Sequence, residues 1–154
     1  MALTPAFTLV TIRPDEADAL LDACRRYWIE LMPRWRGNAD AEYRAAYFAD
    51  RFRVGDPRNE HWWGVVDGAR VGFARIEWHE DVDGAWASVH DFYVEANHRR
   101  HGYGTAMARA VVAAIKERGC FRVDLNVRAD NPGALAFWQA AGFEMTSYRM
   151  RTYL

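Results

Sequence analysis

The sequence predicts a single α/β (α+β) domain, and three observations support this fold class. Segments with period-two alternation, typical of strands, are interspersed with segments of helical apolar spacing. Asp67-Gly68 separates two strand-like segments and is a strong hairpin signal. No internal repeat, low-complexity segment or linker interrupts the chain, so residues 1–154 are expected to form one domain. The predicted order of elements is β-α-α-β-β-β-α-β-α-β.

The first half of the chain predicts a strand, two helices and a three-stranded meander. Alternation over residues 7–12 indicates the strand, and apolar residues recur at helical spacing from Ala17 to Leu31, before Pro33. A second helix is predicted over about residues 40–52. The meander is an antiparallel set with tight turns at Asp67-Gly68 and Asp83-Gly84, and its strands read HWWGVV, RVGFARIEWH and AWASVHDFYV.

The second half predicts two more helices, each followed by a strand. Apolar residues at helical spacing run from Tyr103 to Ile115, and Gly119 ends this helix. The segment FRVDLNV, residues 121–127, is typical of a buried strand. Asn131 is a suitable N-cap for a short helix that begins at Pro132 and stops at Gly142. The tail FEMTSYRMRTYL, residues 143–154, alternates as a final strand would.

The composition argues against several classes of protein. There are 20 Lys and Arg residues against 21 Asp and Glu residues, whereas a general nucleic-acid binder carries a basic excess. No segment approaches the length of a membrane span and the first residues lack a signal-peptide pattern, so we expect a cytoplasmic protein without a membrane partner. Cys24 and Cys120 lie outside any metal-binding spacing, so we expect reduced thiols and no metal site.

The segment NHRRHGYGTAM, residues 97–107, combines basic side chains and two glycines where a helix begins. Glycine lets main-chain N–H groups approach a bound group closely. The first N–H groups of a helix have no intrahelical acceptor and lie at the positive end of its dipole. The segment therefore predicts an anion site, most naturally for phosphate. It matches neither the P-loop pattern nor G-x-G-x-x-G, since residue 107 is Met.

Three segments resemble the signatures of the GNAT superfamily of N-acetyltransferases. Arg99-x-x-Gly102-x-Gly104 resembles the acetyl-CoA signature Q/R-x-x-G-x-G/A, and the strand VHDFYV resembles the strand that precedes it. The segment NPGALAFWQAAGF resembles the second signature and matches it at Asn131, Ala134, Phe137, Gly142 and Phe143. The resemblance implies the GNAT fold: a mixed, mostly antiparallel sheet of about six or seven strands with splayed central strands, flanked by about four helices.

The resemblance also implies a binding mode for acetyl-CoA. Main-chain groups of Phe92 and Val94 are expected to hold the pantetheine arm and to polarise the acetyl carbonyl. Amides from residues 100–105 are expected to hold the pyrophosphate, and Asn131 to contact the pantetheine. The implied cofactor-binding set is Phe92, Tyr93, Val94, Arg99, Arg100, His101, Gly102, Tyr103, Gly104, Thr105, Asn131, Ala134, Phe137 and Trp138.

The sequence departs from the family pattern at Trp138, where the second signature usually has a tyrosine that is often assigned to protonate the departing thiolate. An indole N–H donates a hydrogen bond but is not an acid at neutral pH. Three alternatives remain open: water or another hydroxyl, such as that of Tyr103 or Tyr93, supplies the proton; the thiolate leaves unassisted; or the protein binds CoA without turnover.

Acetyl transfer to an amine calls for a base, because an alkylamine with a pKa of about 10.4 is almost wholly protonated at neutral pH. By resemblance, His90 occupies the position of a glutamate that is a candidate base in polyamine-acetylating relatives, and histidine suits base chemistry near neutrality. Asp91 and Glu77 are the alternatives. Strand alternation places His90 and Asp91 on opposite faces unless a β-bulge intervenes, as is common in this strand of the family.

The predicted function is direct transfer from acetyl-CoA to a primary amine of a small molecule in a ternary complex. The acidic turn at Glu77, Glu80, Asp81 and Asp83 favours a cationic acceptor, and residues 32–48 are expected to shape its pocket. Acetylation of a protein N-terminus or lysine, a non-catalytic CoA-binding module and a plain interaction domain remain as alternatives. The final strand leaves room for a homodimer formed by strand sharing.

Overall fold

The computed structural model describes residues 6–35, 37, 39–49 and 52–154. Its elements follow the predicted order up to the last helix. Three short 3-10 turns lie at Pro14–Glu16, Met32–Arg34 and Ala96–His98. The strands and helices are β1 (Phe7–Thr11), α1 (Ala17–Leu31), α2 (Ala41–Ala49), β2 (Asn59–Val66), β3 (Ala69–Asp81), β4 (Gly84–Val94), α3 (Tyr103–Glu117), β5 (Arg122–Leu125) and α4 (Pro132–Ala140). The expected end of α2, at residues 50–51, lies outside the described residues.

The sheet is mixed and mostly antiparallel, as predicted. Its strands lie in the order β1-β2-β3-β4-β5, and the first four pair antiparallel. Helix α3 provides the crossover that brings β5 parallel to β4. Among the described residues, no helix is long and apolar enough to cross a membrane.

Helices cover both faces of the sheet and give the domain two apolar layers. On one face, Leu20, Cys24 and Trp28 of α1 pack against Phe73 and Tyr93 of the sheet. On the other face, residues of α3 pack against β3 and β4; this layer includes Met107, Val111, Ile115, Ile76, Ala87 and Val89. Cys24 and Cys120 are both free thiols, and burial raises the pKa of Cys24 above its ordinary value.

A β-bulge in β4 changes which side chains face α1. Arg75 pairs with Asp91 whereas Ile76 pairs with Val89, so His90 is the extra residue. Before the bulge, Val89 belongs to the α3 layer; after it, Tyr93 belongs to the α1 layer. In a strand without a bulge, Val89 and Tyr93 would lie on the same face, because they are four residues apart. The bulge therefore places both His90 and Asp91 on the side of the sheet that α1 covers.

Strands β4 and β5 separate beyond the bulge. Their parallel pairing runs only from Trp86 with Arg122 to Val89 with Leu125. Residues 90–94 of β4 have no pairing with β5, so a gap opens between the two strands where β4 approaches the anion loop. The splayed central strands expected from the family resemblance are therefore present.

The predicted final strand is wrong. Residues 143–154 lie in neither helix nor strand, and the sheet has five strands rather than six or seven. Side chains such as those of Tyr148 and Met150 are almost fully exposed, at 86% and 92%. Alternation indicates a strand only where a neighbouring strand supplies main-chain partners. Among the residues that the structure describes, the four-residue β5 pairs with β4 alone, and no strand pairs with residues 143–154.

Candidate active site

Main-chain groups of β4 line the gap between β4 and β5. The N–H of Glu95 donates to the carbonyl of Val71 at 2.8 Å, and a side chain on Gly72 would clash with the carbonyl of Tyr93. The main chain of Tyr93 and Glu95 therefore faces β3. Because successive residues of a strand face opposite neighbours, the main chain of Phe92 and Val94 faces the gap.

The anion loop, residues 97–105, leaves a row of N–H groups without acceptors. Arg100 and Gly102 have φ angles of 66° and 77°, and Gly102 is the N-cap of α3. The first hydrogen bond of the helix runs from the N–H of Ala106 to the carbonyl of Gly102, at 3.1 Å. No group in the described part of the chain accepts from the N–H groups of residues 100–105. These donors lie beside the end of β4, where the gap is open.

The two arginines of the anion loop have different roles in the fold. Arg99 forms an ion pair with Glu30 of α1 at 2.6 Å and donates through Nε to the carbonyl of Val94 at 3.0 Å. Arg100 has no ion pair with any residue that the structure describes. Arg99 therefore ties the loop to α1 and β4, and the guanidinium of Arg100 is the one available to a bound anion.

Side chains of the anion loop also pack on one another. The Nδ1–H of His101 donates to the carbonyl oxygen of His98 at 3.2 Å. The ring of His101 stacks on Tyr103 with centroids 5.5 Å apart. Gly104 lies in the first turn of α3, and a Cβ atom on it would lie 3.5 Å from the ring of Phe137. The first turn of α3 thus packs closely on α4.

Helix α4 closes the other side of the gap. Asn131 caps the helix, accepting from the N–H of Ala134 through Oδ1 at 3.1 Å. Trp138 is buried and meets Phe92 edge-on with centroids 4.9 Å apart, and Phe137 lies 5.8 Å from the same ring. Aromatic packing accounts for the position of Trp138.

Tyr93 lies outside the gap, although it was among the residues expected to bind the cofactor. Its ring packs on Tyr27 and Phe73 in the α1 layer, and its main chain faces β3. Burial, with a smaller contribution from Glu95 and Glu30, raises the pKa of Tyr93 to about 12. The hydroxyl therefore retains its proton at neutral pH, and the ring that carries it lies in the α1 layer.

Glu77 and His90, two of the predicted base candidates, are in direct contact. His90 Nε2 and Glu77 Oε2 form a short hydrogen bond between β3 and the bulge of β4. Because the carboxylate accepts, the proton of a neutral ring lies on Nε2 and the lone pair on Nδ1. Both side chains are about one-third exposed, at 34% and 32%. The pair is therefore accessible to a substrate.

His79 completes a cluster with Glu77 and His90, although it was not among the site residues predicted from the sequence. Its Nε2 lies 3.0 Å from Ser88 Oγ and 3.8 Å from Glu77 Oε2. Its ring stacks on Trp86 with centroids 3.9 Å apart and an angle of 17° between the planes. The i, i+2 relation to Glu77 was the only sequence signal, since it places both side chains on one face of a strand.

Asp91 has a different environment from the other base candidates. It is buried at 4% exposure and accepts from Arg75 Nε at 2.7 Å. Burial raises the pKa of Asp91, while the Arg75 guanidinium and the Tyr27 hydroxyl act in the opposite direction. The Asp91–Arg75 ion pair is therefore buried at the bulge, whereas the Glu77–His90 pair is about one-third exposed.

The comparisons with known proteins agree with this architecture. Residues 20–143 match the family described as "Acetyltransferase (GNAT) family". The match spans most of the chain and includes the anion loop, the bulged strand and α4. The chain belongs to this family.

Two curated relatives are N-acetyltransferases or acetyltransferases by name. An uncharacterized N-acetyltransferase of Methanocaldococcus jannaschii is 33% identical over 51% of this chain and 36% of its own length. A mycothiol acetyltransferase of Clavibacter sepedonicus is 34% identical over 70% of this chain and 32% of its own length. The chain thus spans about a third of the length of these relatives.

Solved structures share the fold over nearly the whole chain. An aminoglycoside N-acetyltransferase in complex with CoA has a TM-score of 0.70 and 16% identity, covering 100% of this chain and 98% of its own. A ribosomal-protein-alanine N-acetyltransferase from Brucella melitensis has a TM-score of 0.68 and 22% identity, covering 96% and 100%. At these identities the likeness concerns the fold alone.

Proposed function

We propose that this protein is an acyl-CoA-dependent N-acetyltransferase that moves an acetyl group from acetyl-CoA to a primary amine, by direct transfer in a ternary complex. The observation that carries the proposal is the row of N–H groups at residues 100–105, which have no acceptor in the described chain and lie beside the open end of β4. Membership of the acetyltransferase family and the names of the relatives support it.

The anion loop would hold the pyrophosphate of CoA. Unpaired N–H groups at a helix N-terminus bind phosphate through hydrogen bonds and through the helix dipole. Arg100 adds a charged donor, and Arg99 holds the loop in place through Glu30. From this anchor the pantetheine arm extends into the gap between β4 and β5, along the main chain of Val94 and Phe92.

The same gap would place the thioester for reaction. An N–H of β4 that faces the gap donates to the acetyl oxygen and stabilises the negative charge that develops there, an effect worth about 3 kcal/mol. Trp138 and Phe137 pack beside Phe92 and close the gap from the α4 side. Exclusion of water on that side strengthens the hydrogen bond to the oxyanion.

The Glu77–His90 pair would supply the base. Glu77 accepts from His90 Nε2 and orients the ring, leaving the Nδ1 lone pair to take the proton of the attacking amine. The amine nitrogen bonds to the thioester carbon, the carbon–sulfur bond breaks, and CoA leaves as a thiolate. A thiol with a pKa of about 8.5 is a tolerable leaving group, so solvent can protonate it without a protein acid.

A small, cationic amine fits the surroundings of this base. Glu77, Glu80 and Asp81 lie on β3, and Asp83 lies in the turn that joins β3 to β4. These carboxylates give the approach a negative potential, which draws an ammonium group towards the site. Acetylation of a protein N-terminus or of a lysine is the alternative, and the peptides in the turnover screen described next would reveal it.

The test is a turnover screen with acetyl-CoA and a panel of small amines, amino acid derivatives and peptides. We expect free thiol to appear at a rate that depends on a small amine, with a mass increase of one acetyl group on that amine. Calorimetry with CoA alone separates binding from turnover. Binding without thiol release on any amine or peptide would favour a non-catalytic CoA-binding module, and the absence of binding would overturn the proposal.

A further inference from the structure

We propose that Glu77, His79 and His90 form a binding site for a divalent transition metal ion, zinc(II) above all, and that occupation of this site blocks acetyl transfer. The metal site stands on the geometry of the three side chains. The blocking effect rests on the proposed function, because it requires His90 to act as the base.

The three side chains bring their ligand atoms to one point. One ring nitrogen of His79, one of His90 and a carboxylate oxygen of Glu77 all lie within 4.8 Å of one another. His79 Nε2 is 3.8 Å from Glu77 Oε2. Ligands of a tetrahedral zinc ion lie about 2.0–2.1 Å from the metal, hence about 3.4 Å apart. Small side-chain rotations therefore suffice to close the site.

The fold holds these ligands on one surface. Glu77 and His79 are two residues apart on β3, so both side chains lie on the same face. Ser88 of β4 pairs with Glu77, and His90, two residues further along β4, lies on the same face. The stacking of His79 on Trp86 restricts its ring, which lowers the cost of ordering it on a metal.

The chemistry of the ligand set selects the ion. Two imidazoles and one carboxylate favour zinc, copper or nickel over magnesium and calcium, which prefer oxygen ligands. The side chains of His79, Glu77 and His90 are 26%, 32% and 34% exposed, so an ion can enter and keep water at its open position. In the described part of the chain, no arginine or lysine is paired with Glu77; the nearby Arg75 is held by Asp91 and Asn59.

Occupation of the site removes the proposed base. A neutral histidine binds a metal through Nε2 only when its proton is on Nδ1. In that state His90 has no lone pair left for the amine, and Glu77 no longer accepts from it. Metal binding and acetyl transfer are therefore mutually exclusive at this cluster, with no oxidation or covalent change required.

The experiment measures binding first, without either substrate. Metal-free protein is titrated with cobalt(II), a spectroscopic probe for zinc sites, and zinc(II) affinity is obtained by competition. We expect one ion per chain, with the visible absorption of a tetrahedral or five-coordinate site, and an affinity at least about tenfold weaker in His79→Asn, which loses one of three ligands. His98→Asn, the same change outside the cluster, should bind as the unmodified protein does.

Activity then tests the blocking effect. Zinc(II) should inhibit acetyl transfer and a chelator should restore it. Relative to its own zinc-free rate, His79→Asn should require at least about tenfold more zinc for the same fractional inhibition. His79→Gln serves as a second variant, and thermal unfolding verifies that both fold. No cobalt spectrum, or equal affinity in His79→Asn and the unmodified protein, overturns the metal site. Equal inhibition of the two overturns the blocking effect. If no amine is acetylated at all, the proposed function fails and the cobalt titration still decides the site.

Discussion

The single extra residue in β4 gives two neighbouring titratable side chains different environments. Without the bulge, His90 and Asp91 would lie on opposite faces of the strand. With it, Asp91 is buried against Arg75 while His90 contacts Glu77 at the surface. Asp91 is therefore enclosed by the fold, whereas His90 remains accessible from solvent.

His90→Ala should lower kcat for acetyl transfer by about 10²-fold or more, the usual contribution of a general base, with little change in the KM for acetyl-CoA. Added imidazole should restore part of the rate, because the removed side chain leaves space at the surface. Steady-state kinetics measure both effects. A His90→Ala enzyme with normal kcat would remove His90 from the mechanism.

His61 gives a prediction about stability rather than catalysis. It is buried at 2% exposure, and neither ring nitrogen has a hydrogen-bond partner in the described chain. Burial, reinforced by the charge of Arg75, lowers the pKa of His61 from 6.5 to about 4. The folded protein thus holds this ring neutral, whereas the unfolded chain protonates it below pH 6.5. The stability that depends on the neutral ring is complete above pH 6.5 and is lost as the pH falls towards 4.

The corresponding measurement is urea unfolding at several pH values. The unmodified protein should lose up to about 3 kcal/mol of unfolding free energy from this group between pH 6.5 and 4, at roughly 1.4 kcal/mol for each pH unit. His61→Gln has no titrating ring and should lose correspondingly less over the same interval. Parallel pH dependence in the two proteins would contradict the buried, neutral state of His61.

At the scale of elements, the proposed CoA site lies at the start of α3. Gly102 has a φ of 77° and nothing within 4 Å of a Cβ atom placed on it. Gly119, at the other end of the same helix, has a φ of 84° and equally open surroundings. The two glycines therefore share backbone conformation and space, and only Gly102 belongs to the anion loop.

Gly102→Val and Gly119→Val should each cost about 1–2 kcal/mol of stability, because a side chain disfavours the left-handed region. Only Gly102→Val should weaken CoA binding, by about tenfold or more, since it adds bulk where the N–H groups meet the pyrophosphate. Calorimetry with CoA and urea unfolding separate the two effects. Equal CoA affinity in both variants would contradict the assignment of the anion loop.

At the scale of the whole molecule, CoA should stabilise the folded chain. Its proposed site joins three separate elements of the fold: the end of β4, the first turn of α3 and α4. A ligand that binds only the folded protein adds about 2.7 kcal/mol at a concentration of 100 Kd. We expect the midpoint of thermal unfolding to rise by several degrees with CoA and not with adenosine alone. No shift at saturating CoA would argue against the site.

Much of the fold could be predicted from the sequence, because its signals are local. The hairpin turns at Asp67-Gly68 and Asp83-Gly84, the cap at Asn131 and the apolar spacing of α3 each depend on residues within one or two turns of chain. The tail was misjudged for a related reason: alternation describes which residues share a face, and it contains no information about whether a partner strand is present.

The sequence by itself determined the order of the elements, the anion loop and the family to which the chain belongs, because these are properties of short segments. Tertiary structure alone decided that Arg99 is bound to Glu30, that Tyr93 lies outside the gap and that His79 joins Glu77 and His90. The physical reason is that these arrangements depend on strand register and on one bulge. A shift of one residue moves every later side chain to the opposite face of the strand.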